Sequence, residues 1–206
     1  MQTNDLTAEP DQGPIGSGPR TDDGVTREEL HFRRIDMRGW RRSDGLYEVE
    51  GRVTDRKPHA FKAPNGSKVV PANEPIHDMG VKLVFDRDML VNDIVAFTDS
   101  APYPDCYAAG HALEVLKGVR IASGWSGEVH RRLGGEKSCT HLMQILIPLG
   151  TTAFQSLSMV RLAQPEVLAA GGRPVKVDSC YAYAANREVV MRKWPAFYTG
   201  PAVPEK

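Results

Sequence analysis

The sequence has no long hydrophobic run and no excess of charge of either sign. It contains no stretch of about 18 apolar residues, and its N-terminus lacks a basic segment followed by an apolar one, so we expect neither a membrane span nor a secretory signal. Lysine plus arginine number 26, as do aspartate plus glutamate, so no net field draws the chain to nucleic acid or to an anionic membrane. We therefore predict a cytoplasmic protein with no nucleic-acid or membrane partner.

Cysteine is scarce too, with three in 206 residues. So few cannot build a disulfide framework, and a cytoplasmic chain would keep all three reduced and available as thiolates. The composition is otherwise ordinary for a globular protein, with 41% hydrophobic and 25% charged residues. Residues 1–26 are polar and rich in proline and glycine, which predicts a disordered arm, followed by a single α+β domain over 27–194 and a flexible tail over 195–206.

Strand and turn patterns fill the first half of the chain. A short helix is predicted from Thr26, because Thr26 and Glu29 have capping-box spacing, and the arginines that follow would form its solvated basic face. After the turn at Asp44-Gly45, the alternation in LYEVEGRVTD predicts a half-buried strand, and Asn65-Gly66 predicts a short hairpin. Alternation in DMGVKLVFD and LVNDIVAFTD predicts a second hairpin, which gives about three main antiparallel strands.

Helical periods fill the second half. YAAGHALEVLKG predicts a helix ended by Gly118, WSGEVHRRLGG predicts a short helix, and CTHLMQILIPLGTTAFQSLSMVRL predicts a long apolar helix interrupted at Pro148. The segment RPVKVDSCYAYAANREVVMRKWP alternates loosely and could add a final strand or strap. Strands first and helices second indicate an α+β fold, with helices packed on one face of an antiparallel sheet.

The residues best suited to chemistry lie where these elements begin and end. His77 and Asp78 enter the second strand and Cys106 follows the third, and a hairpin brings the start of one strand beside the end of the next. Cys139, with His141 two residues on, stands near the start of the long helix, which could point back at the same corner. Imidazole, carboxylate and thiolate donors suit a tetrahedral zinc or a ferrous ion, because sulfur and nitrogen select such metals over magnesium.

These residues also have an interpretation without a metal. Cys106 and Cys139 fit small buried hydrophobic residues, and His77 fits a hydrogen-bonded loop histidine. With a metal, His141 could replace Asp78 as the fourth ligand or act as a general base, or it could be a polar residue on the helix surface.

Four further residues are candidates for a catalytic role. Arg52 and Asp55 could line a pocket over the metal, or they could form a surface ion pair. Asp99 and Tyr103 flank the loop that carries the first thiol and could be acid–base groups beside the ligands, or they could serve the turn chemistry of that loop.

Two family resemblances bear on the metal. The run from HDMGVKLVFD through LVNDIVAFTD to SCTHLMQIL, about residues 77–160, resembles the iron–sulfur scaffold proteins of the NifU/IscU type. That resemblance implies a three-stranded sheet followed by helices, with Asp78, Cys106 and Cys139 as ligands and His77 near the place of a further cysteine. The chaperone-binding Leu-Pro-Pro-Val-Lys segment of the scaffolds has no counterpart in this sequence.

The second resemblance is closer and covers about residues 45–160. The phrases EGRVTDRKP, HDM, TDSAPYPDC, LKGVRI and SCTHL, in this order, are similar to those of a bacterial domain family of unassigned function. This resemblance supports the ligand set and implies no reaction.

Taken together, the patterns favour a zinc- or iron-dependent enzyme that acts on a small organic substrate, an aromatic compound being one candidate. A retro-aldol lyase that releases a one-carbon unit fits these parts, since a metal would polarise a hydroxyl or carbonyl while a nearby side chain moves the proton. The alternatives are a non-catalytic iron–sulfur or metal-trafficking scaffold and a metal-free small-molecule binding module. A homo-oligomer is left open.

Overall fold

The computed structural model describes residues 24–64, 66 and 68–201. These residues divide into two compact units between Leu157 and Ser158, and each unit is described by itself. Most of the predicted N-terminal arm, Asn65 of the predicted turn, and positions 202–206 of the predicted tail lie outside the described residues. The single domain over 27–194 stays a prediction.

The described residues of the first unit form six strands. They are β1 (Phe32–Arg41), β2 (Tyr47–Arg56), β3 (Phe61–Lys62), β4 (Val69–Val70), β5 (His77–Phe85) and β6 (Val91–Ser100). Four of them form an antiparallel sheet in the order β1-β2-β5-β6, while β3 and β4 form a separate short hairpin around the predicted turn. The α+β class and the antiparallel sheet are confirmed, and the sheet has one strand more than the sequence patterns predicted.

The helices of this unit follow the strands. They are two 3-10 helices (Pro104–Tyr107 and Ala109–Leu116), α1 (Trp125–Leu133), a 3-10 turn (Gly135–Lys137) and α2 (Thr140–Ser156). The helix predicted over YAAGHALEVLKG is therefore present as 3-10 rather than α structure, and Gly118 follows its end with a φ of 79°, a backbone conformation that glycine adopts at little cost.

The core lies between the inner face of the sheet and α2. Alternate residues of β2 are buried, among them Val49 and Val53, as the period of two in its sequence predicted. The buried face of α2 includes Leu142, Ile145 and Leu149, which recur at helical spacing and pack on β1, β2 and β5. Burial of each such side chain stabilises the fold by about 1.5–3 kcal/mol. The interface therefore holds α2 in one position on the sheet, which fixes where its first residues lie relative to the strands.

Two predictions about individual elements are wrong. Residues 24–31 form no helix, and Phe32–Arg41 is a strand whose ten residues all pair with β2. The hydrogen bonds to this distant segment outweigh the local helix signal of the capping-box pattern at Thr26. The arginines of this segment accordingly lie on a strand, not on a basic helix face. Helix α2 runs through Pro148 without interruption, and this proline lies on its exposed side.

The second unit has little regular structure. It contains α3 (Ser158–Leu162), α4 (Glu188–Lys193) and two 3-10 turns, Tyr181–Tyr183 and Pro195–Phe197. Val177, Val190 and Trp194 form its small core. Within 158–201 the only β pairing is an isolated bridge between Leu168 and Pro174, so the final strand considered from the sequence is not formed there. No helix in the described ranges of either unit is long and apolar enough to cross a membrane.

Candidate functional site

A cleft of about 440 Å³ opens where β5 and α2 begin. Its walls come from three places: the first residue of β5, the loop and 3-10 helix after β6, and the turn that leads into α2. The side chains in these walls include His77, Tyr103, Cys106, Cys139 and His141. Five residues named from the sequence as ligands or catalytic groups thus line one cleft of the first unit.

Asp55 lies behind this cleft and is the centre of a hydrogen-bond network. Its side chain is only 1% exposed. Arg33 donates to both carboxylate oxygens, from Nε to Oδ1 at 2.7 Å and from Nη2 to Oδ2 at 2.8 Å. His77 Nδ1 lies 3.1 Å from Oδ2, and His31 Nε2 lies 3.2 Å from Oδ1. A buried carboxylate needs such partners, because an unpaired charge inside a protein is strongly unfavourable.

Strand register places these groups together. Arg33 pairs with Asp55 across β1 and β2, and Asp55 pairs with His77 across β2 and β5. Directly opposed residues of an antiparallel ladder point to the same face, so the three side chains form one row on the inner face of the sheet.

The protonation of this row follows from its partners. Burial tends to raise the pKa of Asp55, but the hydrogen bonds and charge of Arg33, together with His77 and His31, leave it below the usual value of an aspartate. An ionised carboxylate only accepts hydrogen bonds, so His77 donates from Nδ1 and keeps a lone pair on Nε2. Burial lowers the pKa of His77 and outweighs the opposing effect of Asp55, so the ring is neutral at neutral pH.

A second imidazole completes a compact group of potential ligands. The rings of His77 and His141 lie 4.0 Å apart between centroids, and His141 Nε2 is 3.8 Å from Asp55 Oδ2. One ligand atom from each of Asp55, His77 and His141 lies within 4.8 Å of the other two. Such a group could hold a metal ion, with Asp55 either as a direct ligand or as the hydrogen-bond partner of a ligating histidine.

Cys139 stands at the N-terminal end of α2, beside His141. Its Sγ is 3.9 Å from His141 Nδ1 and 3.9 Å from the sulfur of Met79. Burial tends to raise the pKa of Cys139, but the His141 side chain and the backbone N–H groups of Leu142 and His141 lower it by more. The net pKa is below the usual value, so this thiol ionises more readily than an ordinary cysteine. This cysteine is therefore the better thiolate donor of the cleft.

Cys106 faces the same cleft from the 3-10 helix after β6. Burial raises the pKa of Cys106, a backbone hydrogen bond at Tyr103 opposes this, and the nearby Cys139 adds to the rise. Cys139 thus opposes the ionisation of Cys106 across the cleft, and a bound cation would favour ionisation of both thiols.

Besides Asp55, three predicted site residues lie outside this cleft. Arg52 is next to Val53 on β2 and Asp78 is next to His77 on β5. Successive strand residues point to opposite faces, so Arg52 and Asp78 lie on the face opposite Asp55 and His77. There Arg52 binds Asp78 with distances of 2.6 Å and 2.8 Å, and it contacts Asp99 at 2.7 Å. The expected grouping of Asp78 with His77 as ligands, and of Arg52 and Asp99 with the pocket, is therefore corrected: these three form an ion-pair cluster on the outer face.

Sequence reasoning missed His31 and Arg33. Both were assigned to a helix, or to the basic face of one, and so could not be related to Asp55. The available signal was the period of two in FRRIDMRGW, where Arg33, Ile35 and Met37 share one face of a strand.

The model of one protein family, described as a protein of unknown function (DUF2889), matches residues 31–155. The chain belongs to this family. The DUF2889 match confirms the resemblance to a domain family of unassigned function, and it extends from His31 beyond His141, so it includes every residue of the Asp55 network and of the cleft named above. No curated protein and no solved structure matches the chain, and the resemblance to NifU/IscU scaffolds finds no support in these comparisons.

Proposed function

We propose that this DUF2889 protein is a zinc- or iron-dependent enzyme acting on a small organic substrate. The observation that carries the proposal is the pair of imidazoles, His77 and His141, which meet at a buried carboxylate in a cleft that also holds two thiols. Burying Asp55 among four polar partners is costly in free energy unless the arrangement has a use. Perturbed titratable groups that converge in a cleft are typical of functional sites.

The chemistry of these donors suits such a metal, and the ligand atoms that already lie within 4.8 Å of one another are those of Asp55, His77 and His141. Both oxygens of Asp55 already accept hydrogen bonds from Arg33, and each accepts a further one from a histidine, which suits a carboxylate that orients a ligand better than one that binds the metal. We therefore assign His77, His141, Cys106 and Cys139 as the ligands. Two imidazoles and two thiolates are donors that zinc and ferrous iron accept and that magnesium and calcium do not favour.

The side chains around the donors suit a substrate with a hydroxyl or carbonyl group. The bound ion would supply a Lewis acid that polarises that oxygen. Tyr103 is at the cleft wall, where its hydroxyl donates to the carbonyl oxygen of Pro64 at 3.2 Å, and we propose it as the acid–base group. Ser138 Oγ is buried in the same wall without a hydrogen-bond partner among the described residues, so its hydrogen-bonding capacity is unused there.

For these ligands and side chains we propose a retro-aldol cleavage that releases a one-carbon unit, which would make the protein a lyase. Such a reaction needs an activated oxygen and a group that moves a proton, and it needs no redox cofactor. The cleft lies at the lower end of the size range of small-molecule pockets, which is consistent with an aromatic substrate of one or two rings.

Elemental mass spectrometry of the purified protein tests the metal. We expect about one equivalent of zinc or iron per chain, as for a mononuclear site. A variant with both His77→Ala and Cys106→Ala should lose most of it, whereas Cys180→Ala, which changes an exposed cysteine of the second unit, should keep it. Full metal content in the double variant, or none in the wild type, would contradict the proposal.

A non-catalytic iron–sulfur scaffold is a second candidate, favoured by the two cysteines in one open cleft. Anaerobic reconstitution with iron and sulfide distinguishes it, because a cluster gives visible charge-transfer absorbance and a mononuclear zinc site is colourless. A metal-free binding module would instead leave both cleft cysteines equally open to alkylation before and after treatment with a chelator.

A further inference from the structure

Arg33 holds the carboxylate of Asp55 in one orientation. Its two hydrogen bonds, one to each oxygen, form the planar bidentate contact that arginine and carboxylate make best. This contact fixes the carboxylate plane, whereas a single bond or a point charge would leave it free to rotate. Arg33 is itself partly exposed and is not among the residues that line the cleft.

The orientation matters because of what Asp55 does on its other side. Oδ2, which accepts from Arg33 Nη2, also accepts from His77 Nδ1. A carboxylate bonded to one ring nitrogen of a histidine fixes the tautomer and the ring orientation and increases the donor strength of the other nitrogen. Whether Nε2 of His77 carries a proton therefore depends, through Asp55 on β2, on Arg33 of the neighbouring strand β1.

We propose that Arg33 is a positioning residue of the cleft, which acts through Asp55 to hold His77 in the Nδ1–H tautomer with Nε2 free for a ligand. The importance of this tautomer for metal binding rests on the proposed function, but the tautomer itself does not. A purely structural role for Arg33, compensating a buried charge, predicts lower stability without a specific change at His77.

Two-bond proton–nitrogen NMR spectra of the imidazole groups test the tautomer in the metal-free protein. Wild-type His77 should show the Nδ1–H form. Arg33→Met should shift it toward a mixture of tautomers, and Arg33→Lys, which keeps a charge but loses the planar contact, should lie between. Arg34→Met is the matched control: Arg34 is the next residue on β1, is similarly exposed, and pairs with Asp36 on the other face, so it should leave His77 unchanged.

Zinc affinity, measured by competition with a chelating dye, tests the consequence. Arg33→Met should weaken zinc binding by about 10- to 100-fold, the range for partners of metal-ligating groups. In an Asp55→Asn background the same change should cause no further loss, because a residue that acts only through Asp55 has nothing left to act on.

The outcomes separate the two proposals. If Arg33→Met leaves His77 in the Nδ1–H form, or weakens zinc binding equally with and without Asp55, the positioning role is refuted. If Arg33→Met does not fold, Arg33→Lys decides the same question. If wild-type protein shows the expected tautomer and its loss in Arg33→Met, yet binds no zinc or iron, then the proposed function fails and the role of Arg33 stands.

Discussion

Asp55 is the residue on which the candidate site depends. It is the one polar side chain that is fully buried within the described ranges, and its partners come from β1, from β5 and from the chain just before β1. In the folded protein, Arg33 and the histidines therefore compensate the cost of burying its charge. Such a group makes stability depend on pH in a direction that can be worked out.

The pKa of Asp55 is lower in the folded chain than in the unfolded one, where it is about 3.9. Its contribution to stability is then fully present above the unfolded value and is lost as the pH falls through the lower folded value. We expect metal-free Asp55→Asn to lower the free energy of unfolding by about 1–3 kcal/mol at pH 7, the range for hydrogen bonds to charged groups, and by less below about pH 4. Urea denaturation at both pH values measures the difference.

Asp36→Asn is the control for this prediction. Asp36 lies on β1 and pairs with Arg34 in an exposed ion pair, which should contribute about 0–1 kcal/mol. A difference between wild type and Asp55→Asn that grows toward acid pH would show that the carboxylate is not stabilised in the folded state.

At the scale of single residues, much of the site was predictable from the sequence. His77, Cys106 and Cys139 were chosen because chemistry-bearing residues at the ends of neighbouring elements tend to meet, and they line one cleft. Asp55 was chosen as a residue that could line a pocket over the metal, and it lies behind that cleft, hydrogen-bonded to His77. Asp78 was misplaced because the period of two in β5 was not applied to its first two residues, which point to opposite faces.

At the scale of elements, the contact between α1 and α2 depends on a close approach at Gly150. Trp125, the first residue of α1, donates from Nε1 to the carbonyl oxygen of Leu146 at 2.8 Å, and its ring covers Gly150. A Cβ atom at Gly150 would lie 2.5 Å from Cδ1 of Trp125, which is too close for a carbon–carbon contact.

We therefore expect Gly150→Ala to destabilise the protein by about 1–3 kcal/mol, the usual cost of overpacking, despite the better helix propensity of alanine. Gly127 in α1 is the matched control, because a Cβ atom there meets nothing within 4 Å. Gly127→Ala should leave stability unchanged or raise it by up to about 1 kcal/mol. Thermal unfolding followed by circular dichroism measures both, and equal effects of the two variants would refute the close contact.

The elements that the sequence predicted are those with local signals. Alternation identified β2, β5 and β6, and helical periods identified α1 and α2. β1 was missed because it is an edge strand rich in arginine, with exposed Phe32, Ile35 and Trp40, so its period of two is weaker than the capping-box pattern that precedes it. Its strand conformation comes from pairing with β2, which no short window of sequence contains.

At the scale of the whole molecule, every residue of the candidate site lies in the first compact unit. The family match, residues 31–155, falls within that unit, which ends at Leu157. The unit has its own sheet and its own buried core, which are the requirements for independent folding.

We expect a chain ending at Leu157 to fold and to keep the metal content of the full chain. Circular dichroism should show mixed helix and strand with a cooperative thermal transition, and elemental mass spectrometry should give the same metal content as the full chain. A shortened chain that is unfolded, or folded but depleted of metal, would show that residues 158–206 are needed for the site.

The row formed by Arg33, Asp55 and His77 has a consequence for how this protein tolerates insertions and deletions. Each member belongs to a different strand, and a shift of β2 by a single residue would turn Asp55 toward solvent while most backbone hydrogen bonds reformed. The shifted protein would keep its sheet yet leave a guanidinium and an imidazole facing each other with no anion between them. Insertions and deletions in this domain should therefore occur in the connections between strands. Within a strand they would be harmful even if the backbone hydrogen bonds could re-form.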